Sequence, residues 1–213
     1  MSTNIKYTNQ DGNYITDQQV SNLKFYNKEF FNNNELKIVE KYSPQGRTNK
    51  IVLKGGDYYL SSEEDLQIII DQYKSTANSW TFFYNKQKNN TGDVCWKYLF
   101  YKDGELKASG MKVFNNQKLL IASCTINLEN NQLEDQRKYF YGDINIYKRT
   151  EYDSPFLSVF YDSNNDVSDI YIYDDDYQSV DEFLSSHDST YFDWISHDYF
   201  HSFEPILPTG LIV

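Results

Sequence analysis

The sequence has few residues that break or cross-link a chain, because only 4 prolines, 9 glycines and 2 cysteines occur among its 213 residues. Scarce proline and glycine exclude collagen-like and linker-like classes, and Cys95 and Cys124 cannot form a disulfide framework. Apolar runs such as Leu119–Ala122 are far too short to span a bilayer. The polar start Met1–Asn4 lacks the apolar stretch of a signal peptide. A cytoplasmic protein with reduced thiols is therefore expected.

Basic residues are missing from the last part of the chain. Residues 1–150 hold 17 acidic residues and all 20 lysines and arginines, whereas residues 151–213 hold 14 acidic residues and no lysine or arginine. Uniform negative charge repels itself and costs stability, so this stretch favours a surface that attracts a basic partner. A solvated, solubilising face is the alternative interpretation. Binding of nucleic acid through this stretch is not expected, because it repels phosphate.

Aromatic residues make up 17% of the chain and alternate with Asn, Asp and Gly in the manner of β-hairpins. Four pairs or triplets of turn residues lie between strand-like runs: Asn32–Asn34, Asp103-Gly104, Asn115-Asn116 and Asn164-Asn165. Isoleucine and tyrosine alternate over residues 170–173, which is typical of an antiparallel sheet with one buried face. We predict an α+β fold, predominantly an antiparallel β meander of hairpins with two or three short helices. A single domain is expected over residues 1–213, with a basic-balanced β-rich part at 1–150 and a strongly acidic part at 151–213.

Three helices are predicted. The first spans about residues 62–76, because Ser61 and Glu64 have the spacing of a capping box. An apolar stripe follows at Leu66, Ile69, Ile70 and Tyr73. A second helix is expected over Ser179–Ser186 and a third from Ser189 to Phe203, before Pro205. The third has an apolar stripe at Phe192, Ile195, Tyr199 and Phe203. The pair Gly55-Gly56 is interpreted as a turn.

The third predicted helix presents acidic and aromatic side chains away from its apolar stripe. Asp193, Trp194 and Asp198 fall largely on the opposite side, where an exposed tryptophan among acids forms a plausible contact surface. The alternative is that Trp194 packs on a neighbouring sheet.

Two imidazoles, His197 and His201, lie four residues apart on the same predicted helix. This is the spacing of the H-E-x-x-H zinc helix, with Asp198 in the place of the glutamate. A metal-dependent hydrolase with a His197/His201 site is therefore one alternative, and an incidental pair of surface histidines is the other. No catalytic residue and no metal or other cofactor is predicted.

Two further patterns have simpler interpretations than a reaction centre. Asp162–Asp166 opens like a calcium loop, but Val167 and Tyr173 stand where that loop needs Gly and Glu, so a hairpin turn is favoured. Cys95 and Cys124 lie in predicted strands and are expected to be buried, inert thiols.

Residues 25–37 and 101–107 share an order of aromatic residue, Asn/Asp turn and Leu-Lys, as in Tyr101-Lys102-Asp103-Gly104-Glu105-Leu106-Lys107. These segments resemble the hairpins of MORN-variant antitoxin-like proteins. The whole chain is similar to the immunity proteins of bacterial polymorphic toxin systems. That resemblance implies a small, acidic, cytoplasmic, non-enzymatic protein that binds and blocks a cognate toxin domain.

Charge distribution and resemblance together predict a non-catalytic binding protein. It would neutralise a cognate basic toxin domain, such as a nuclease, because nuclease surfaces are positive where they hold phosphate. No nucleic acid or membrane partner is expected. The residues predicted to contact the toxin domain are Asp174, Asp175, Asp176, Asp181, Glu182, Asp188, Asp193, Trp194 and Asp198. Besides the metal-dependent hydrolase, a glycan-binding module that uses the tyrosine face is an alternative.

Overall fold

The structure is a computed structural model and describes residues 3–142, 155–172, 177–186 and 192–209. This part of the chain forms thirteen strands, three α-helices and two 3₁₀ turns. The strands are β1 (Thr3–Thr8), β2 (Tyr14–Ile15), β3 (Tyr26–Asn32), β4 (Glu35–Pro44), β5 (Ile51–Tyr59), β6 (Ser79–Lys88), β7 (Val94–Lys102), β8 (Glu105–Phe114), β9 (Leu120–Ile126), β10 (Leu133–Phe140), β11 (Leu157–Tyr161), β12 (Val167–Ile172) and β13 (Tyr177–Gln178). The helices are α1 (Asp17–Val20), α2 (Leu66–Tyr73) and α3 (Val180–Ser186), and the 3₁₀ turns are Trp194–Ser196 and Asp198–Phe200.

The strands are hydrogen-bonded in the order β13-β12-β11-β10-β9-β8-β7-β6-β5-β4-β3-β1-β2. Pairing is antiparallel between consecutive strands from β3 to β5 and from β8 to β13. This confirms the expectation of a mostly antiparallel β structure with few helices. In the described residues no helix has the length and apolar character needed to cross a membrane.

Contacts divide the chain into two compact units. The first unit contains residues 1–85 and 98–108, and the second contains residues 86–97 and 109–213. In the first unit, α2 connects β5 to β6, which are the parallel neighbours. Parallel strands require such a crossover rather than a tight turn.

The turns predicted at Asn32–Asn34 and Asp103-Gly104 form as two-residue turns, whereas those predicted at Asn115-Asn116 and Asn164-Asn165 lie in five-residue loops. Asn33 and Asn34, between β3 and β4, have φ angles of 49° and 66°. Asp103 and Gly104, between β7 and β8, have φ angles of 52° and 80°. Positive φ at both central residues is the type I′ geometry, whose twist matches that of the flanking strands.

Four five-residue loops share one hydrogen-bonding pattern: Asn9–Asn13, Asn89–Asp93, Asn115–Leu119 and Asp162–Asp166. In each loop, a side-chain oxygen of the first residue accepts the backbone N–H groups of the third and fifth residues. The backbone N–H of the first residue donates to the carbonyl of the fifth, and the fourth residue has positive φ. The Asp162 carboxylate is thus used within its own hairpin loop, as the hairpin interpretation predicts.

Helix α2 begins later than the sequence suggests. Asp65 is its N-cap and accepts the Ile68 N–H at 3.0 Å, so the helix starts at residue 66 rather than 62. The Ser61–Glu64 bonds do form, but they close the turn before the helix, and Glu64 also pairs with Lys37. The predicted stripe is confirmed, since all four of its residues pack in the core of the first unit with Tyr58, Leu60, Trp80 and Phe82.

Gly55 and Gly56 lie inside β5, so their interpretation as a turn is wrong. A Cβ on Gly56 would lie 2.5 Å from Trp80 Cζ3 and 2.5 Å from the Val39 carbonyl oxygen. Gly56 therefore lets the Trp80 indole, which is 1% exposed, approach the backbone of β5 closely.

The core of the second unit is built from β7–β12, α3 and the segment that follows them. Cys95 and Cys124 are buried there as predicted. Burial raises the pKa of both thiols to about 11, so they are protonated at neutral pH. The predicted helix over 179–186 is confirmed as α3, with Phe183 on its buried side.

The predicted helix from Ser189 to Phe203 is wrong for its described part. Residues 192–203 contain the two 3₁₀ turns instead of an α-helix, and His197 between these turns has φ −110° and ψ 59°, outside the helical region. The apolar stripe is split accordingly. Phe192 and Phe203 are buried in the core, whereas Ile195 is 82% exposed.

Candidate protein-binding surface

The acidic stretch places its described carboxylates in solvent. The exposed acids after residue 154 are Asp162, Asp166, Asp169, Asp181, Glu182, Asp193, Asp198 and Glu204. Five of the predicted contact residues, Asp181, Glu182, Asp193, Trp194 and Asp198, are described. The predicted contact residues Asp174, Asp175, Asp176 and Asp188 lie outside the described residues.

The start of α3 supplies two of these acids. Glu182 Oε2 accepts the Ser179 backbone N–H and hydroxyl, each at 2.8 Å, which fixes the first turn as a capping box. The bond from the Ser179 backbone N–H holds the pKa of the Glu182 carboxyl below its usual value. Phe183 anchors the helix in the core, while Leu184 is 50% exposed.

The first 3₁₀ turn supplies the tryptophan and a third acid. Asp193 accepts the Ile195 N–H at 3.1 Å and so begins the turn. Trp194 is half-buried, since its ring lies 6.0 Å from that of Phe183 and 5.0 Å from that of His201 between centroids. Trp194 therefore packs on neighbouring rings instead of standing free, and its contact with Phe183 brings α3 beside the turn.

The acidic surface is the name we give to Asp181, Glu182, Leu184, Asp193, Ile195 and Asp198. All six side chains are exposed, and the aromatic rings beneath α3 and the first 3₁₀ turn support the elements that bear them. This surface combines two large apolar side chains with four carboxylates, and protein contact sites combine apolar and polar side chains in this way.

The two histidines do not lie on one face of an α-helix, so the spacing behind the zinc alternative is not realised. The Asp193 carbonyl oxygen lies 2.6 Å from His197 Nδ1, and the Trp194 carbonyl oxygen lies 2.8 Å from His201 Nε2. Each imidazole is therefore used in a local contact with a turn. Across the described residues, no group of three or more His, Cys, Asp or Glu could hold a metal ion.

The tyrosine face has an open depression in the first unit. It is lined by Gln10, Phe25, Tyr26, Asn27, Lys41, Tyr42, Ser43 and Lys54. The rings of Tyr26 and Tyr42 stack on each other at 4.9 Å, and the Tyr42 hydroxyl donates to Glu40 at 2.7 Å. One face of each ring is therefore covered by the other ring.

A buried lysine is the feature that sequence analysis missed. Lys138 on β10 is 0% exposed, and its Nζ donates to the carbonyl oxygens of Tyr199 at 2.6 Å, Ser202 at 2.8 Å and Pro205 at 3.1 Å. Nζ also lies 3.7 Å from the centroid of the Tyr199 ring, within the range of a cation–π interaction. We call these three carbonyl oxygens and the Tyr199 ring the Lys138 cage.

The alternation of side chains along β10 is consistent with the burial of Lys138. Gln136 and Lys138 are buried, and Phe140 lies on the same side of β10 in the alternating pattern. The register of β10 against β9 shifts between Glu134 and Arg137, a β-bulge that changes which side chains turn inward. A lysine in a strand is ordinarily exposed to solvent, so the alternating pattern alone does not predict the burial of Lys138.

Burial of the Lys138 ammonium lowers its pKa to about 7, and the Glu204 carboxylate opposes this shift. Because charge is costly to bury, the hydrogen bonds of the cage act against that penalty. The phenols of Tyr161 and Tyr199 have pKa values raised by burial, so both rings stay neutral.

The free energy of unfolding of wild type, relative to a Lys138→Met variant, is expected to rise by about 2 kcal/mol between pH 7 and pH 9. The unfolded chain keeps this lysine protonated up to its usual pKa of 10.5, whereas the folded chain loses the proton near pH 7. Folding thus releases a proton in this range and becomes more favourable as pH rises. Urea-induced unfolding at each pH measures the difference.

The other titratable groups contribute equally to the stability of wild type and of Lys138→Met, so their contributions cancel in the difference. Cys95 and Cys124 keep their protons to about pH 11 when folded, so they lower stability above about pH 9 in both proteins. A difference between wild type and variant that stays constant from pH 7 to 9 would contradict the lowered pKa of Lys138.

Comparison of the chain with family models, with curated proteins and with solved structures finds no match. What the chain binds is therefore inferred from its own residues.

Proposed function

We propose that this chain is a non-catalytic binding protein that neutralises a basic toxin domain in the cytoplasm, in the manner of an immunity protein. The observation that carries the proposal is that the last part of the chain lacks basic residues and exposes its described acidic side chains. No lysine or arginine follows Arg149, and the eight described acids after residue 154 are all exposed.

The apolar side chains of the acidic surface support a protein partner. Ile195 and Leu184 are 82% and 50% exposed, and both lie on short elements whose aromatic neighbours are fixed in the core. Exposed charge alone serves solubility, but protein interfaces gain most of their affinity from apolar and aromatic side chains near the centre. Ile195 and Leu184 can supply that centre, with Asp181, Asp193 and Asp198 at its rim.

A basic nuclease fits the charge of this surface. A nuclease surface is positive where it binds phosphate, so an acidic protein that covers it both competes with the nucleic acid and is steered towards it over long range. The bound state needs no reaction at the acidic surface, because blocking access is sufficient for inhibition.

The first experiment tests toxin neutralisation in cells. The probe is the product of the reading frame next to this gene, expressed in a laboratory bacterium with and without the chain. Co-expression is expected to restore growth that the product alone prevents, and the two purified proteins are expected to form a stable complex. A toxic product that the chain neither binds nor neutralises would contradict the proposal.

The second experiment tests the acidic surface with that complex. The triple variant Asp181→Asn, Asp193→Asn, Asp198→Asn is expected to lower the association rate about tenfold at low salt and to weaken its salt dependence. Asparagine keeps the N-cap at residue 193, so the fold is preserved. Stopped-flow mixing at several salt concentrations measures the rates.

A matched control removes equal charge elsewhere. Asp11, Asp17 and Glu63 are exposed acids of the first unit, and changing them to Asn, Asn and Gln is expected to alter the association rate by no more than about twofold. Equal effects of the two triple variants would mean that net charge, and not the acidic surface, guides association.

A further inference from the structure

The number of N–H donors on a protonated Lys138 equals the number of carbonyl acceptors in the Lys138 cage. A lysine ammonium has three N–H donors and no acceptor, and Nζ has three carbonyl partners at 2.6 to 3.1 Å. All three carbonyls come from residues 199–205, a stretch at least 61 residues away along the chain. One side chain of the sheet therefore fixes three backbone positions, one in the second 3₁₀ turn and two in the residues that follow it.

These bonds replace those that a helix would make. In an α-helix the Tyr199 carbonyl would accept the Phe203 N–H, four residues on. Here the Tyr199 carbonyl accepts from Lys138, and the Phe203 N–H donates to the Asn165 carbonyl at 3.0 Å. The course of residues 199–205 is thus built around Lys138 Nζ.

Other residues hold this stretch through one or two hydrogen bonds each. The Tyr161 hydroxyl donates to the Phe200 carbonyl at 2.9 Å, and the Ser202 hydroxyl donates to the Asn165 carbonyl at 3.1 Å. These are bonds between neutral groups, which are about half as strong as bonds from an ammonium. Lys138 is therefore the main polar anchor of the stretch.

The anchored stretch continues into the acidic surface. Asp198 directly precedes Tyr199, and His201 lies between two anchored residues while its Nε2 contacts the Trp194 carbonyl. The His201 and Trp194 rings also stack at 5.0 Å. Movement of residues 199–205 would remove this support from the turn that carries Asp193 and Ile195.

We propose that Lys138 is a positioning residue for the acidic surface: its Nζ, held by the carbonyls of Tyr199, Ser202 and Pro205, fixes the two 3₁₀ turns in the arrangement that binds the partner. The anchoring follows from the structure alone, whereas the consequence for binding rests on the proposed function.

Hydrogen exchange of Lys138→Met tests the anchoring without a partner. The amides of Ser196, Phe200 and Phe203 donate hydrogen bonds in wild type, and their exchange is expected to accelerate at least about tenfold in the variant, since local opening no longer breaks the ammonium bonds. Amides of β9 and β11 exchange through larger openings, so they report the general loss of stability in the same variant. Lys138→Gln, which retains two donors, is expected to fall between wild type and methionine, and it decides the test if the methionine variant does not fold.

Val113→Ala is the control for general loss of stability. Val113 is 0% exposed on β8 and belongs to the same core, so its truncation is expected to accelerate exchange throughout the second unit. If the Lys138 variants also accelerate all amides equally, or leave residues 196–203 unchanged, the anchoring is overturned.

Partner binding is the second measurement. With a toxin domain that wild type binds, Lys138→Met is expected to raise the dissociation rate about tenfold or more, while Val113→Ala changes it little. Accelerated exchange at residues 196–203 with an unchanged dissociation rate would overturn the positioning role. If wild type binds no toxin domain, the proposed function fails, and exchange alone still decides the anchoring.

Discussion

Replacing Lys138 with methionine is expected to lower the free energy of unfolding by about 3 kcal/mol at pH 7. The variant keeps the volume of the side chain but removes the partner of three carbonyls in a site that is closed to solvent. Each carbonyl left without a donor costs about 1 kcal/mol or more. The loss grows at pH 9, where wild-type Lys138 no longer carries the penalty of a buried charge. Urea-induced unfolding followed by far-ultraviolet circular dichroism measures it.

Lys88→Met is the matched control for that loss. Lys88 lies in the second unit and is exposed, so the same substitution there is expected to change stability by less than about 0.5 kcal/mol. Equal losses in the two variants would mean that the Lys138 cage contributes no stability beyond that of an ordinary surface lysine.

Gly56→Ala is expected to destabilise the first unit by about 3 kcal/mol, at the upper end of the range for overpacking. The new methyl group would lie 2.5 Å from both the Trp80 ring and the Val39 carbonyl oxygen. Neither can move freely, because the indole is buried and the carbonyl belongs to β4. Hydrogen exchange of β5 amides, with urea unfolding, measures the loss.

A double-mutant cycle separates the two clashes. On a Trp80→Leu background the ring atoms Cζ3 and Cη2 are absent, so Gly56→Ala is expected to cost at least about 1 kcal/mol less than in wild type. The remaining cost comes from the Val39 carbonyl. Additive effects of Gly56→Ala and Trp80→Leu would contradict the close packing of indole on glycine.

The hairpins could be predicted from sequence because their causes are local. Asn33-Asn34 and Asp103-Gly104 supply residues that adopt positive φ at low cost, directly between apolar runs. The stripe on α2 was equally readable, since its spacing sets one helix face. In these cases the residues that decide the structure lie within ten positions of one another.

The parallel pair β5–β6 was beyond the same reasoning. Gly55-Gly56 carries no side chain, so the pair has the local composition of a turn. Its position inside a strand fits Ser79 and Trp80, more than twenty residues later, which occupy the space that side chains at Gly55 and Gly56 would fill. Only the packed structure contains that information.

Part of the candidate site could be predicted from the sequence and part of it could not. Exposure of Asp181, Glu182, Asp193 and Asp198 could be anticipated from charge alone. The course of the chain through them could not, because the apolar stripe satisfied a helical period while the Tyr199 carbonyl had a stronger partner in Lys138. A periodic pattern predicts a helix only where no distant donor competes for its carbonyls.

The separation between Lys138 and its acceptors also has a consequence for synthesis. The lysine leaves the ribosome 61 to 67 residues before the carbonyls that it contacts, so during that interval its charge has to remain in water and the second unit stays incomplete. A translation product that stops before Tyr199 would retain a cation with no acceptors and an unfinished core. Such fragments are expected to be cleared by proteases, so that only chains translated beyond residue 205 accumulate.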